Sequence, residues 1–233
     1  MTGRVDGVVV AVVGGDTGAG SALGRGLGDL GASVVSVGAA DVASADDVCA
    51  ALEAAAAPPA RVEAVVVCSV GAEPTGPGPL ADVDDAAWRA QVELPLRRML
   101  ACFQGAYRYF GGRGGSVVVI VPTASMTGAA GLVPWAAVTE GGRALAKAAA
   151  RAWGHVGIVV NCVAVPAALV APPPPGATGA PVDLDRPGLP PRALPAPDMH
   201  VDVAGVVASF LDPHRRVVTG ATVAVDGGVW MTP

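Results

Sequence analysis

Val8-Val9-Val10-Ala11-Val12-Val13-Gly14-Gly15-Asp16-Thr17-Gly18-Ala19-Gly20 sets the pattern for the rest of the chain. The first six residues are apolar and mostly β-branched, which predicts a strand buried on both faces. Glycines at 14, 18 and 20 mark a tight turn, and Leu23, Leu27 and Leu30 then recur at helical spacing. A helix over about 20–31 therefore follows the strand directly. Such glycines allow a sharp turn and let backbone N–H groups approach a pyrophosphate at the positive end of the helix. A glycine pattern alone is weak evidence, but here it leaves a strand and opens a helix, as that mechanism requires.

The alternation continues outward from this unit. Val34 to Val37 predicts a second strand, and 44–56 a helix with Ser44 as N-cap and Asp46 and Asp47 in its first turn. Val62 to Val67 predicts a third strand. Trp88, Val92, Leu96, Met99, Phe103, Tyr107 and Phe110 step by three or four along one face of a long helix, about 85–110. Val117 to Val121 predicts a strand, 135–153 a helix, Ile158 to Val163 a strand, and Ala221 to Val225 the last strand. Strands alternating with helices predict an α/β fold, a doubly wound parallel sheet in three layers, as one domain over 1–233. Residues 171–197 hold 10 of the 21 prolines and can form neither a helix nor an inner strand, so they are read as a long loop within the domain.

Composition excludes several classes. The 233 residues are 52% hydrophobic, enough for one substantial core. A net charge of −5, with no basic run longer than Arg97-Arg98 or Arg215-Arg216, argues against nucleic acid as a partner. No apolar stretch approaches the ~20 residues of a membrane span, and no signal peptide is read at the start, so a cytoplasmic protein is expected. Cys49, Cys68, Cys102 and Cys162 form no Cys-x-x-Cys pair and read as reduced core thiols. His155, His200 and His214 lack metal-ligand spacing, so no metal is expected.

Val13 to Gly20 resembles the Thr-Gly-x-x-x-Gly-x-Gly of the short-chain dehydrogenases/reductases. Further matches run in the family's order. Asp41-Val42 resembles the acid that meets the adenine, and Trp88 the aromatic that opens the long interface helix. Val160-Asn161-Cys162-Val163-Ala164 is similar to a strand end of the family, and Val218-Thr219-Gly220 with Val225-Asp226-Gly227-Gly228 to its C-terminal signature. The resemblance spans nearly the whole chain and implies a Rossmann-like sheet. Gly38-Ala39-Ala40 stands where an acid or arginine would meet the ribose, and Asp41 follows almost at once. Roughly twenty residues of crossover and strand are missing by comparison, so six strands are expected, with one edge strand and its helix lost.

The departures fall on the positions to which the resemblance assigns chemistry. Its Tyr-x-x-x-Lys pair is replaced by Trp135 and Thr139, its carbonyl-orienting serine by Pro122, and its water-positioning asparagine by Pro95. General acid catalysis contributes typically 10²–10⁴-fold, and an indole N–H does not titrate usefully. The resemblance thus implies a pseudoenzyme: a non-catalytic subunit of a heteromeric NAD(P)-dependent oxidoreductase. It would pair, as a hetero-oligomer and expectedly a tetramer, with an active paralogue holding NAD(P). Such pairs oxidise β-hydroxyacyl or β-hydroxytyrosyl thioesters, the latter in antibiotic biosynthesis. No cofactor is expected in this chain; Gly14, Gly18, Gly20 and Asp41 would be vestigial cofactor-binding residues. Trp88, Phe103, Tyr107 and Trp153 are the interface candidates. Two alternatives stay open. One is non-redox catalysis such as cyclisation or dehydration, drawing on Cys68, Ser69, Thr123, Ser125, Asp16, Glu140 and His200; the other is a nucleotide-binding regulatory module.

Overall fold

The computed structural model describes residues 5–56, 60–68, 78–128, 130–170, 192–213 and 217–231. Six parallel strands form one sheet: β1 (Val9–Val13), β2 (Ser33–Val37), β3 (Ala64–Val67), β4 (Gly115–Pro122), β5 (Ile158–Val165) and β6 (Thr222–Ala224). Their order is 2-1-3-4-5-6. That is the doubly wound order less one edge strand, as expected, and it leaves β2 at the margin. The order in which strands are added reverses between β1 and β3. Val13 pairs with Val37 on one side and Val67 on the other, so Gly14, Gly38 and Cys68 emerge together at the crevice where the fold binds its ligands.

Helices cover both faces. They are α1 (Gly18–Asp29), α2 (Ala45–Ala54), α3 (Asp85–Trp88), α4 (Leu94–Phe110), α5 (Ala124–Thr127), α6 (Val133–Trp153), α7 (Ala167–Val170) and α8 (Ala204–Leu211). Helices α2, α4 and α6 pack one face of the sheet around Leu52, Cys102, Phe110 and Ala146. Helices α1 and α8 pack the other around Leu23, Leu27, Val203 and Val207. Strands β3, β4 and β5 are buried along their whole length, which is why they read as unbroken apolar runs rather than alternating ones.

Sequence signals decide the local details. Ser44 Oγ accepts from Asp47 N at 3.2 Å while Asp47 Oδ2 accepts from Ser44 N at 3.0 Å, a reciprocal cap that starts α2 where the sequence predicts it. Glycines let helices touch. A Cβ on Gly105 of α4 would come 2.5 Å from Val48 Cβ of α2, and one on Gly26 of α1 would overlap the His200 carbonyl ahead of α8. Pro95 lacks an N–H, and the chain absorbs the missing bond as a π-helical turn over Arg89–Glu93, closed by Leu94 N donating to Arg89 O. The long helix over about 85–110 is therefore α3, this π turn and α4 in succession.

Two expectations need correction. Phe103 is only 2% exposed and lies in the core, so it is no interface candidate. Its position on α4 is shared with Met99, Ala106 and Phe110, which face the sheet. The second correction is an omission: a π turn at Met199–Val203 and α8 follow the proline-rich stretch, with Asp198 Oδ1 accepting from His200 N and Val201 N at their start. Of the loop 171–197, residues 171–191 lie outside the described residues, as do Ser69 and His214.

Candidate functional site

The carboxyl ends of β1, β3 and β4 and the start of α6 surround the crevice at the switch point. Pro122 ends β4 opposite Val165, and its carbonyl accepts from Ser125 Oγ at 3.1 Å. Thr123 is wholly buried, and its Oγ1 has no partner among the described residues. One turn into α6 stands Trp135, and one turn beyond it Thr139, 3% exposed. Thr139 Oγ1 donates to Trp135 O at 2.9 Å, the back-bond a mid-helix threonine makes to the preceding turn. That hydroxyl is committed to its own helix.

Trp135, Val138 and Thr139 line a cavity of about 50 Å³ with Ile120, Pro122 and Cys68. It has room for a few waters and none of its described lining residues titrates near neutrality. The one ionisable group there is the Cys68 thiol, which burial pushes up to about 12. A thiol with its pKa raised that far stays protonated throughout the neutral range, so it supplies no thiolate nucleophile. The other groups named for non-redox chemistry are dispersed. Glu140 is held bidentate by Arg143 at 2.7 Å, and His200 Nε2 meets Asp29 Oδ2 at 2.8 Å on the α1 side of the sheet. Asp16, in the turn after β1, accepts from Ala39 N beyond the end of β2. They do not form one constellation.

The glycine turn has a different geometry at each of its members. Gly14 adopts φ +76°, which only glycine takes without strain. A Cβ on Gly20 would overlap the Gly14 carbonyl, so Gly20 is demanded by the turn itself. A Cβ on Gly18, the first residue of α1, would meet nothing within 4 Å. Thr17 caps the helix by accepting from Gly20 N at 3.0 Å. Asp16 Oδ1 accepts from Ala39 N at 3.1 Å across the crevice. Asp41 sits in the single helical turn straight after β2, with Oδ2 2.6 Å from where a Gly38 Cβ would be. Sequence reading placed Asp41 by a distant motif and saw the deletion ahead of it, but not this relation, which depends on where β2 ends.

A second surface lies on the outer faces of α4 and α6. Gly141 lets the helices close, since a Cβ there would come 2.9 Å from Leu96 Cδ1. Between them runs an apolar groove of about 600 Å³ lined by Leu96, Leu100, Gly141, Ala144, Leu145 and Ala148, with Glu93 and Arg97 at its rim. Leu94 and Leu100 are exposed beside it, 47% and 39%. Trp88 and Tyr107 are also exposed, and Tyr107 stacks on Trp153 with ring centroids 5.0 Å apart.

The profile of the family described as enoyl-(acyl carrier protein) reductase matches residues 6–230. The cis-4-hydroxycyclohexanecarboxylate dehydrogenase of Sinomonas cyclohexanicum is 30% identical over 94% of this chain and 95% of its own. The chain belongs to the short-chain dehydrogenase/reductase family. Among solved structures, a short-chain type dehydrogenase/reductase from Mycobacterium ulcerans is 26% identical, with a TM-score of 0.78 over 96% of this chain and 90% of that one. A 3-ketoacyl-(acyl-carrier-protein) reductase from Brucella melitensis, complexed with NADH, is 17% identical and shares the fold, with a TM-score of 0.79 over 97% and 100%. The six-stranded sheet of this short-chain dehydrogenase/reductase is thus the family's architecture, and no helix among its described residues is long and apolar enough to cross a membrane.

Proposed function

We propose that this short-chain dehydrogenase/reductase is a non-catalytic subunit of a heteromeric oxidoreductase, paired with a paralogue that carries Tyr-x-x-x-Lys and the NAD(P) that does the chemistry. The observation that carries the reading is Thr139, whose hydroxyl is spent on the Trp135 carbonyl at the point where a cationic side chain would have to reach the cofactor. With Trp135 beside it, the described lining of the cleft offers no group to hold or deliver the proton of a hydroxyl/ketone interconversion. The groove between α4 and α6 supports the second half of the reading. It is apolar, flanked by exposed leucines, and shaped to take side chains from a neighbouring helix pair. The relative from Sinomonas cyclohexanicum carries the name of a dehydrogenase of a hydroxylated ring acid, which suits a partner acting on a secondary alcohol. Use in a secondary-metabolite pathway, including antibiotic biosynthesis, belongs to the same proposal.

Native mass spectrometry of the protein purified gently from its own host tests the pairing. A stoichiometric companion of similar mass bearing Tyr-x-x-x-Lys is the expected result; a homo-oligomer without companion counts against it. The cleft is tested separately by the double variant Trp135→Tyr with Thr139→Lys. It is expected to remain without measurable NAD(P)-dependent turnover, because Pro122 and Pro95 still occupy the serine and asparagine positions. Efficient turnover by that variant alone would show that the two substitutions were the whole defect.

A further inference from the structure

The sheet ends on β2, and nothing in that strand guards the edge. Ser33-Val34-Val35-Ser36-Val37 has no charge, no proline and an unbroken register with β1, so it lacks the devices that keep a further strand from adding. The opposite edge is blunted by its brevity, since β6 has 3 residues.

The ladder with β1 fixes which backbone groups face outward. Ser33 N donates to Val8 O at 2.9 Å and Gly14 N donates to Val37 O at 2.8 Å, so residues 33, 35 and 37 turn their backbone groups to β1. In a parallel ladder the residues between them turn theirs the other way. The N–H and C=O groups of Val34 and Ser36 therefore lie along the open edge, where neither residue has a backbone partner among the described residues.

This row of groups is complementary to itself. An antiparallel second copy, related by a two-fold axis beside Val35, sets Val34 opposite Ser36 and Ser36 opposite Val34. Each pair exchanges both of its hydrogen bonds, so every outward N–H and C=O of the two residues is satisfied on both copies. Val35 then faces its own counterpart across the axis. The flanks are small, with Gly31-Ala32 before the strand and Gly38-Ala39-Ala40 after it. Above β2, α1 presents Gly24, where a Cβ would come 3.3 Å from Val34 Cγ1, and one turn on Gly28, where a Cβ would meet nothing. Two copies of α1 brought side by side over a joined sheet thus have room to approach.

We propose that two copies of this chain join edge to edge through β2, antiparallel about Val35, into one continuous sheet. The contact uses neither α4 nor α6, so it is independent of the pairing with a paralogue and compatible with it, giving two of each subunit. A strand of 5 residues is well short of the roughly 20–30 residues a side of a stable interface, so the association is weak and reversible.

Sedimentation velocity of the full chain, from about one to a few hundred micromolar, is expected to show a monomer–dimer equilibrium. Ser36→Lys, at an exposed position, is expected to weaken it about tenfold or more with an unchanged far-UV circular dichroism spectrum. Cross-linking fixes the register. In a Cys49→Ser background the other native thiols are buried, and Val35→Cys is expected to give a covalent dimer with oxidised glutathione. Residues facing each other there have Cα atoms about 4.5 Å apart, within disulfide reach. Ser33→Cys stands opposite Val37 and about 13 Å from its own counterpart, so it is expected to stay monomeric under the same treatment. A chain monomeric at every concentration, an indifferent Ser36→Lys variant, or Val35→Cys cross-linking no better than Ser33→Cys would each overturn the proposal. The last result is also the one expected if the edge takes an extended segment of another protein. A companion found without any dimer of this chain would overturn it and leave the pairing standing. A dimer cross-linked through Val35→Cys and without a companion would do the reverse.

Discussion

Ala144→Arg is expected to release this chain from the paralogue proposed as its partner while leaving its own fold intact. Ala144 is exposed on α6 and forms part of the floor of the groove between α4 and α6. Arginine is nearly as good a helix former as alanine, so the isolated subunit should lose only a few tenths of a kcal/mol. In an assembly the same side chain would be pressed against the neighbour's apolar face, with Glu93 at the rim the one acid among the groove's lining residues. Burying an unpaired guanidinium costs about 3–5 kcal/mol, which corresponds to a Kd weaker by roughly 100-fold or more. Analytical ultracentrifugation of the mixed subunits, with far-UV circular dichroism of the lone variant, reads both parts. Unchanged assembly would mean that the groove is not where the subunits meet.

Ala148→Arg should behave alike, because residues four apart share a helix face and Ala148 lies in the same groove. The contrast with Phe103 explains why the first set of interface candidates needed revision. Periodicity shows that a helix has an apolar face but not what covers it, and on α4 the largest side chains go to the sheet. Smaller residues, Gly141, Ala144 and Ala148, shape the outward surface instead. A glycine or alanine carries little hydrophobic signal, so the groove was hidden in the sequence although the two helices that make it were legible.

The same logic divides the fold into what could be read and what could not. Strands β3, β4 and β5 declared themselves because burial on both faces favours runs dominated by Val, Ile and Ala, interrupted in β5 only by Asn161 and Cys162. Helix α8 did not, since its run Ala204–Leu211 is apolar on all sides and shows no amphipathic period. Its start is visible in retrospect in Asp198, whose carboxylate caps the turn through two backbone N–H groups. At the crevice, Trp135, Thr139, Pro122 and Pro95 were picked out by the family resemblance, which marks where its chemistry would stand. The position of Asp41 was not: it depends on where β2 stops, and only the Val13↔Val37 register shows that Gly38 leaves room for the carboxylate.

Gly20→Ala is expected to be the most destabilising single-methyl change in the glycine turn. The added Cβ would overlap the Gly14 carbonyl oxygen, with the carbonyl carbon 2.7 Å and Gly15 Cα 2.9 Å away. All three are backbone atoms tied into the turn by Gly14 N donating to Val37 O and Gly15 N donating to Val12 O, so no side-chain rotation relieves the contact. A loss of about 3–5 kcal/mol is expected, the range of strain imposed on a fixed backbone. For a domain of this size that lowers Tm by about 10 °C, measurable by scanning calorimetry. Gly18→Ala is the control, and it points the other way. Its Cβ meets nothing, and alanine is better than glycine in a helix by about 0.5–1 kcal/mol, so Tm should hold or rise slightly. The two glycines of one motif would then differ: Gly20 is glycine because the turn cannot close otherwise, whereas no contact among the described residues requires glycine at 18. A Gly18→Ala protein as unstable as Gly20→Ala would contradict that division.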